Sequence, residues 1–529
     1  MGKDEAVDLT ITWPNGKVSQ VSGVAANQSY EYSISDAGSS SAVSSSNNEG
    51  ILKINNSSGI NYTHQEDNYD EYTVQILLPH SQSTTGPGFA KADINNDGLE
   101  DIFIGGAAGT EAALFTQASE GKFRRVNGPW VLDKAAEDTG ALWVDLNQDG
   151  LLDLYVVSGG TQQPEGSTVF TDRIYINMGG SKFVKNTELI PETDQSGKTI
   201  LAADIDKDGD QDLFVGGRII PDKYPLAAGA YFLINDAGSF TKQELPTESM
   251  IADAVFSDYD SDGDEDLITV GEWSGIEVYQ NDGGKFNKVD IAGLSDKVGL
   301  WFSIAQHDID NDGDLDYFVG NLGLNSKFKA KDGKEFHVYC EDFDSNGTYD
   351  LVLSSNYKGR LVPTRGRECS SQQMPFIEEK FGDYTSFANA SLVDIYGEKL
   401  NTAFHRQATT LASVFIENLG NGQFKTTALP WQAQLAPLSD FDFVDLDNDG
   451  SKEVVCVGNL YNVEVETPRY DASAGAILKF KDGIWTAVES NESGLYATGD
   501  ARRVQHISAG NRNLLLVINS NGPVQVYNY

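Results

Sequence analysis

The residues best placed to do chemistry stand in Asp308-Ile-Asp310-Asn-Asp312-Gly313-Asp314-Leu-Asp316, between the apolar runs Trp301-Phe-Ser-Ile-Ala and Tyr317-Phe-Val. Acids occupy the first, third, fifth and ninth positions and glycine the sixth. Alternate carboxylates can point to one side of a tight loop, the glycine permits its turn, and the seventh residue can add a carbonyl. That donor set suits a hard cation taking six to eight oxygens at roughly 2.3–2.6 Å. The pattern recurs at Asp93, Asn95, Asp97, Asp101; at Asp145, Asn147, Asp149, Asp153; and at Asp204, Asp206, Asp208, Asp212. It returns at Asp258, Asp260, Asp262, Asp266; at Asp342, Asp344, Asn346, Asp350; and at Asp445, Asp447, Asp449, Glu453. Calcium fits better than magnesium, since many carboxylates and no phosphate are offered, and better than zinc, since no His or Cys takes part. About seven calcium ions are expected.

The elements that must hold these loops are short. Each loop joins two apolar strands, and in several units two more follow, as in Glu277-Val-Tyr-Gln-Asn-Asp-Gly-Gly-Lys-Phe, whose turn is a hairpin signal. Four antiparallel strands repeating at first-acid spacings of 52, 59, 54, 50, 34 and 103 predict an all-β propeller of eight blades. Seven is the alternative, if the short fifth unit merges with the sixth. The longest spacing holds a helical insertion at about 358–411, where apolar residues recur at helical intervals. The last unit has three strands and no acidic loop; Ile51-Leu-Lys-Ile-Asn-Asn is expected to supply its fourth and close the ring. Residues 50–529 therefore form the propeller. Residues 7–13 and 28–34 read as two strands about a turn at Pro14-Asn-Gly16, and 36–49 as a Ser-rich linker.

The net charge of −41, from 79 acids against 38 bases, argues against nucleic acid or an anionic membrane as partner. Seven dications would bring it to −27. Three cysteines are too few for a disulfide scaffold; Cys456 reads as a buried apolar residue, and pairing of Cys340 with Cys369 stays open. No apolar run reaches the roughly 18 residues that span a bilayer. Six histidines form no catalytic motif, and there is no nucleophile elbow.

Two resemblances follow. Val7-Asp-Leu-Thr-Ile-Thr-Trp-Pro-Asn-Gly-Lys with Val24-Ala-Ala-Asn-Gln resembles the final part of an ASPIC/UnbV module, covering residues 1–35. The repeats resemble the FG-GAP/VCBS (integrin-like) family, and the combination resembles the cartilage acidic protein-like bacterial family. The likeness implies a fragment of a longer protein, exported and secreted or held at the cell surface, with its signal peptide outside this chain. It implies a calcium-stabilised binding or adhesion module rather than an enzyme. A structural subunit of a surface complex and a propeller glycan-active enzyme are the alternatives. The partner, a glycan or a protein, is expected on the face opposite the acidic loops, where second-turn segments place Arg218, Glu272, Trp273, Asn321, Arg365, Arg367 and Arg469.

Overall fold

The computed structural model describes residues 6–12, 18–26, 28–33, 50–118, 121–420, 422–509 and 512–529. The chain divides into two compact units, Met1–Gly50 and Ile51–Tyr529. In the first, Ala6–Thr12 pairs antiparallel with Val18–Ala25. The second expected strand is thus displaced: residues 28–33 carry no regular structure. The segment just after the turn pairs first, because a short hairpin loop fixes the register. The turn at Pro14 and the Ser-rich stretch lie outside the described residues.

The second unit is a β-propeller. Its second strands show how the sequence builds it. In Asp153–Gly159 the run Leu154, Tyr155, Val156, Val157 is fully buried, so both faces of the strand are covered. Alternate side chains leave on opposite faces. Leu154 and Val156 join the core shared with the preceding sheet, while Tyr155 and Val157 join the core shared with the following one. The same division repeats around the molecule and yields seven intersheet cores. One of them joins the last sheet, through Leu514 and Leu516, to the first, through Ile102 and Phe115.

The blades begin with the strands Phe89–Ala92, Glu137–Val144, Gly197–Ala203, Met250–Ser257, Gly299–His307, Leu438–Val444 and Asp500–Ala509. Among the described residues the blade sheets so ordered number seven, where eight were expected. The fifth unit takes its outer strands, Val414–Asn418 and Phe424–Ala428, from beyond the long spacing: Val319 pairs Val414 and Tyr317 pairs Ile416. The unit carrying the Asp342 loop is a separate four-stranded sheet set between the second and third strands of that blade. Four short helices, from Arg367–Gln373 to Leu392–Tyr396, follow its third strand. The insertion is thus longer than 358–411 and only partly helical. As expected, the N-terminal strand Lys53–Ile54 pairs with Gln525–Asn528 and completes the last blade.

Candidate metal loops and the channel mouth

All seven acidic loops share one backbone path. The sixth residue's N–H donates to the first acid in every copy, at 2.7–3.2 Å. The seventh residue's N–H donates to the fifth side chain in every copy. The sixth-position glycines lie at φ 81–101°, where a Cβ is strained, and the fourth residues Asn96, Gln148, Lys207, Ser261, Asn311, Ser345 and Asn448 at φ 58–64°. No sequence pattern announced that second left-handed position, because its residue types are mixed.

Each ninth acid lies buried at the foot of its loop, and the others stand at the rim. Ligand oxygens of Asp204, Asp206 and Asp212 come within 4.8 Å of one another, as do those of Asp258, Asp260 and Asp262; of Asp308, Asp310 and Asp312; and of Asp342, Asp344 and Asp350. Burial, with the neighbouring loop acids adding to it, raises Asp101, Asp153 and Asp212 to about 6 and Asp266, Asp316 and Asp350 to about 7, against the pull of backbone N–H donors. Asn95 Oδ1, Asp204 Oδ1 and Asp266 Oδ2 are buried without a hydrogen-bond partner. Such oxygens fit a hard cation. The Asp445 loop differs, because Lys479 Nζ reaches Asp447 at 2.5 Å and Glu453 at 3.2 Å and sets an ammonium among its acids.

Sequence reasoning missed an asparagine on the third strands. The Asn177, Asn235, Asn281 and Asn418 N–H groups donate to the ninth acid of their own blade. The amides of Asn177 and Asn281 also reach Ile94 O and Ile205 O, in the loops of the preceding blades. Its recurrence before each Gly-containing turn was the available signal.

The opposite face is not the open surface expected. The insertion packs over it in one core with Tyr224, Trp273, Leu322 and Leu460. Arg218 is buried with Glu272, whose carboxylate also takes His80 Nε2 at 2.9 Å and Tyr224 Oη at 2.7 Å. Burial opposes ionisation of Glu272, but His80 and Arg218 outweigh it and hold the acid well below its usual range. Trp273 donates to Tyr224 Oη, and the Asn321 amide to Thr410 O and Ala412 O. Arg365 meets Glu464 at 2.6 Å, and Arg367 donates to Phe381 O. Of the seven residues only Arg469 stays at the surface, paired with Asp471 and 4.2 Å above the Tyr461 ring. Cys340 and Cys369 are free thiols, and Cys456 is buried as expected.

Within the channel, six first strands carry a bulge at the same height, which sets one residue out of register. Five of these residues, Lys198, Ala252, Phe302, Ser439 and Arg502, line one cavity of about 40 Å³ together with His80, Thr85, Arg218 and Arg503. The segment before the first blade closes it from above: His80 bridges to Val463, and Gln162 Nε2 donates to Ser83 O. Nearby, His64, Glu66 and Glu137 gather polar atoms within 4.8 Å. His64 Nδ1 accepts the Asn521 N–H at 3.2 Å, so Nε2 of the neutral ring carries the proton and is a donor, not a metal ligand.

A family model described as FG-GAP-like repeat matches residues 93–156 and 258–319. The chain carries FG-GAP-like repeats and folds as a β-propeller. No curated protein matches it. Solved structures similar to it include BBS1N in complex with ARL6DN, at TM-score 0.42 and 9% identity over 90% of this chain and 97% of that one. Sqt1 of Saccharomyces cerevisiae gives 0.39 and 10%, over 88% and 99%. The V. cholerae biofilm matrix protein Bap1 gives 0.32 and 11%, over 90% of each chain.

Proposed function

We propose that this chain is a calcium-stabilised extracellular binding or adhesion propeller without enzymatic activity, whose ligand is a glycan or a protein. The observation that carries the calcium reading is the common backbone of seven acidic loops, with buried carboxylate and amide oxygens left unpartnered in it. Calcium would supply the positive charge that lets these acids ionise side by side. Asp93 to Asp101 and their six counterparts would hold it, with the third-strand asparagines fixing the ninth acids. Metal binding then becomes folding free energy.

The paired N-terminal strands are read as part of an ASPIC/UnbV-like module, which implies an exported protein at the cell surface. The insertion and the Arg469–Tyr461 rim take the place of the expected open face as the surface offered to a partner. Chelation with EDTA is expected to lower the melting temperature by tens of degrees, reversibly on adding calcium. A melt that ignores EDTA overturns the calcium reading. A glycan and peptide array on the calcium-loaded protein, with product analysis on every hit, tests the rest: turnover would replace the binding module with an enzyme.

A further inference from the structure

Four cationic side chains from two blades converge on the cavity at the channel mouth, in a chain with a net charge of −41. Three already have a carboxylate. Arg218 is paired with Glu272, Arg502 with Asp500 at 3.1 Å, and Arg503 with Asp440 at 3.8 Å. Lys198 has no ion-pair partner among the described residues; its ammonium donates to Thr85 O at 2.5 Å. Asp253 stands near, but its oxygens accept from Ala254 N, Ile304 N and Thr199 Oγ1 instead. His80 shares Glu272 with Arg218. The cavity thus holds one ammonium that no carboxylate contacts among the described residues. Two further atoms beside it are buried and unpartnered: Arg502 Nε, a donor, and Thr85 Oγ1.

We propose that this cavity is a binding site for one small monovalent anion, a halide or the carboxylate of a formate- or acetate-sized group, held by Lys198 Nζ, Arg502 Nε and the Thr85 hydroxyl. A single anion can accept from the unpaired ammonium, from Arg502 Nε–H and from the Thr85 hydroxyl, and so satisfies both orphaned groups. The volume sets the limit: about 40 Å³ admits a halide or a carboxylate head, not a sugar ring. Burial, with the guanidiniums of Arg503, Arg502 and Arg218 adding to it and Asp253 opposing it, pushes Lys198 well below the usual lysine range, and an anion beside it would favour the charged form. The bulges show why a propeller channel can build such a site: each one re-aims a single side chain without disturbing the strand pairing beyond it. The site rests on nothing in the acidic loops and binds an anion, not the glycan or protein partner proposed above.

The test is thermal melting of the calcium-loaded protein in sodium gluconate, with chloride, formate or acetate replacing gluconate at constant ionic strength. The expected result is a saturable rise in melting temperature with chloride or a small carboxylate that gluconate, too large for the cavity, does not give. The rise should vanish in Lys198→Met and shrink in Thr85→Val. Lys198→Met leaves every ion pair of the site in place and gives up the bond to Thr85 O; if that variant fails to fold, Thr85→Val alone carries the comparison. Which anions act separates the halide from the carboxylate source. Crystals soaked in bromide should show an anomalous peak within hydrogen-bond distance of Lys198 Nζ. Equal melts in all anions, or a rise kept in both variants, would overturn the proposal. The EDTA response is unaffected by either outcome.

Discussion

Trp273 and Gly313 both hold left-handed backbone, at φ 60° and 101°, and the comparison shows what each kind of position costs. Trp273 is kept there by its hydrogen bond to Tyr224 Oη and by packing on Phe336. Gly313 has no side chain to hold it, only its N–H bond to Asp308, and a Cβ built on it would meet nothing within 4 Å. Gly313→Ala should therefore destabilise by backbone strain alone, about 1–2 kcal/mol, read from the midpoint of urea unfolding. An unchanged midpoint would mean that the loop relaxes. Arg218→Ala strips one partner from a buried pair whose side chains are 4% and 0% exposed. It should cost about 3–5 kcal/mol, whereas Arg469→Ala, at the surface, should stay within about 0.5 kcal/mol. Equal effects would deny Arg218 its structural role. Lys479 competes with a cation for Asp447 and Glu453, so Lys479→Met should tighten the weakest step of a calcium titration by isothermal calorimetry. No change in that step would place the weak site elsewhere.

At the scale of elements, the second strands and their loops were legible because their signals are local: an apolar run, alternate acids, a glycine, a second run. The insertion was not. Phe336–Glu341, the Asp342 loop and Asp350–Tyr357 carry the same local signals as a blade. Only the long-range pairing of Val319 with Val414 shows that the ring skips them, and local periodicity does not encode pairing partners. The same fact hid the fate of Arg218, Trp273, Asn321 and Arg365. Their position on second-turn segments was readable, but the sheet and helices folded over them were not. The ends of the insertion return to one place, since Gly323 N donates to Leu411 O at 2.9 Å. Replacing residues 328–408 with a short Gly-Ser link should leave the calcium-dependent melt in place. It should also uncover Trp273, Leu322 and Leu460 and so raise the binding of a hydrophobic dye. Loss of the folded ring would instead make the insertion an integral part of the fifth blade.

At the scale of the whole molecule, charge decides the behaviour. Repulsion among the loop acids opposes the compact state unless protons or cations intervene. Six buried ninth acids, from Asp101 to Asp350, have folded pKa values of about 6–7. An unfolded aspartate titrates near roughly 3.9. The native state therefore binds protons more tightly than the unfolded chain, and each such group stabilises the fold when protonated. In EDTA that contribution is present in full below about pH 4 and fades as the pH rises through 6–7, so the melting temperature should fall between pH 5 and 8. With saturating calcium the ionised acids are the stabilised form, and stability should instead be lost as the pH falls and protons displace the ion. Melts across this range, in EDTA and in calcium, should therefore slope in opposite directions. Parallel slopes would show that the ninth acids do not hold the metal, whatever the spacing of their loops.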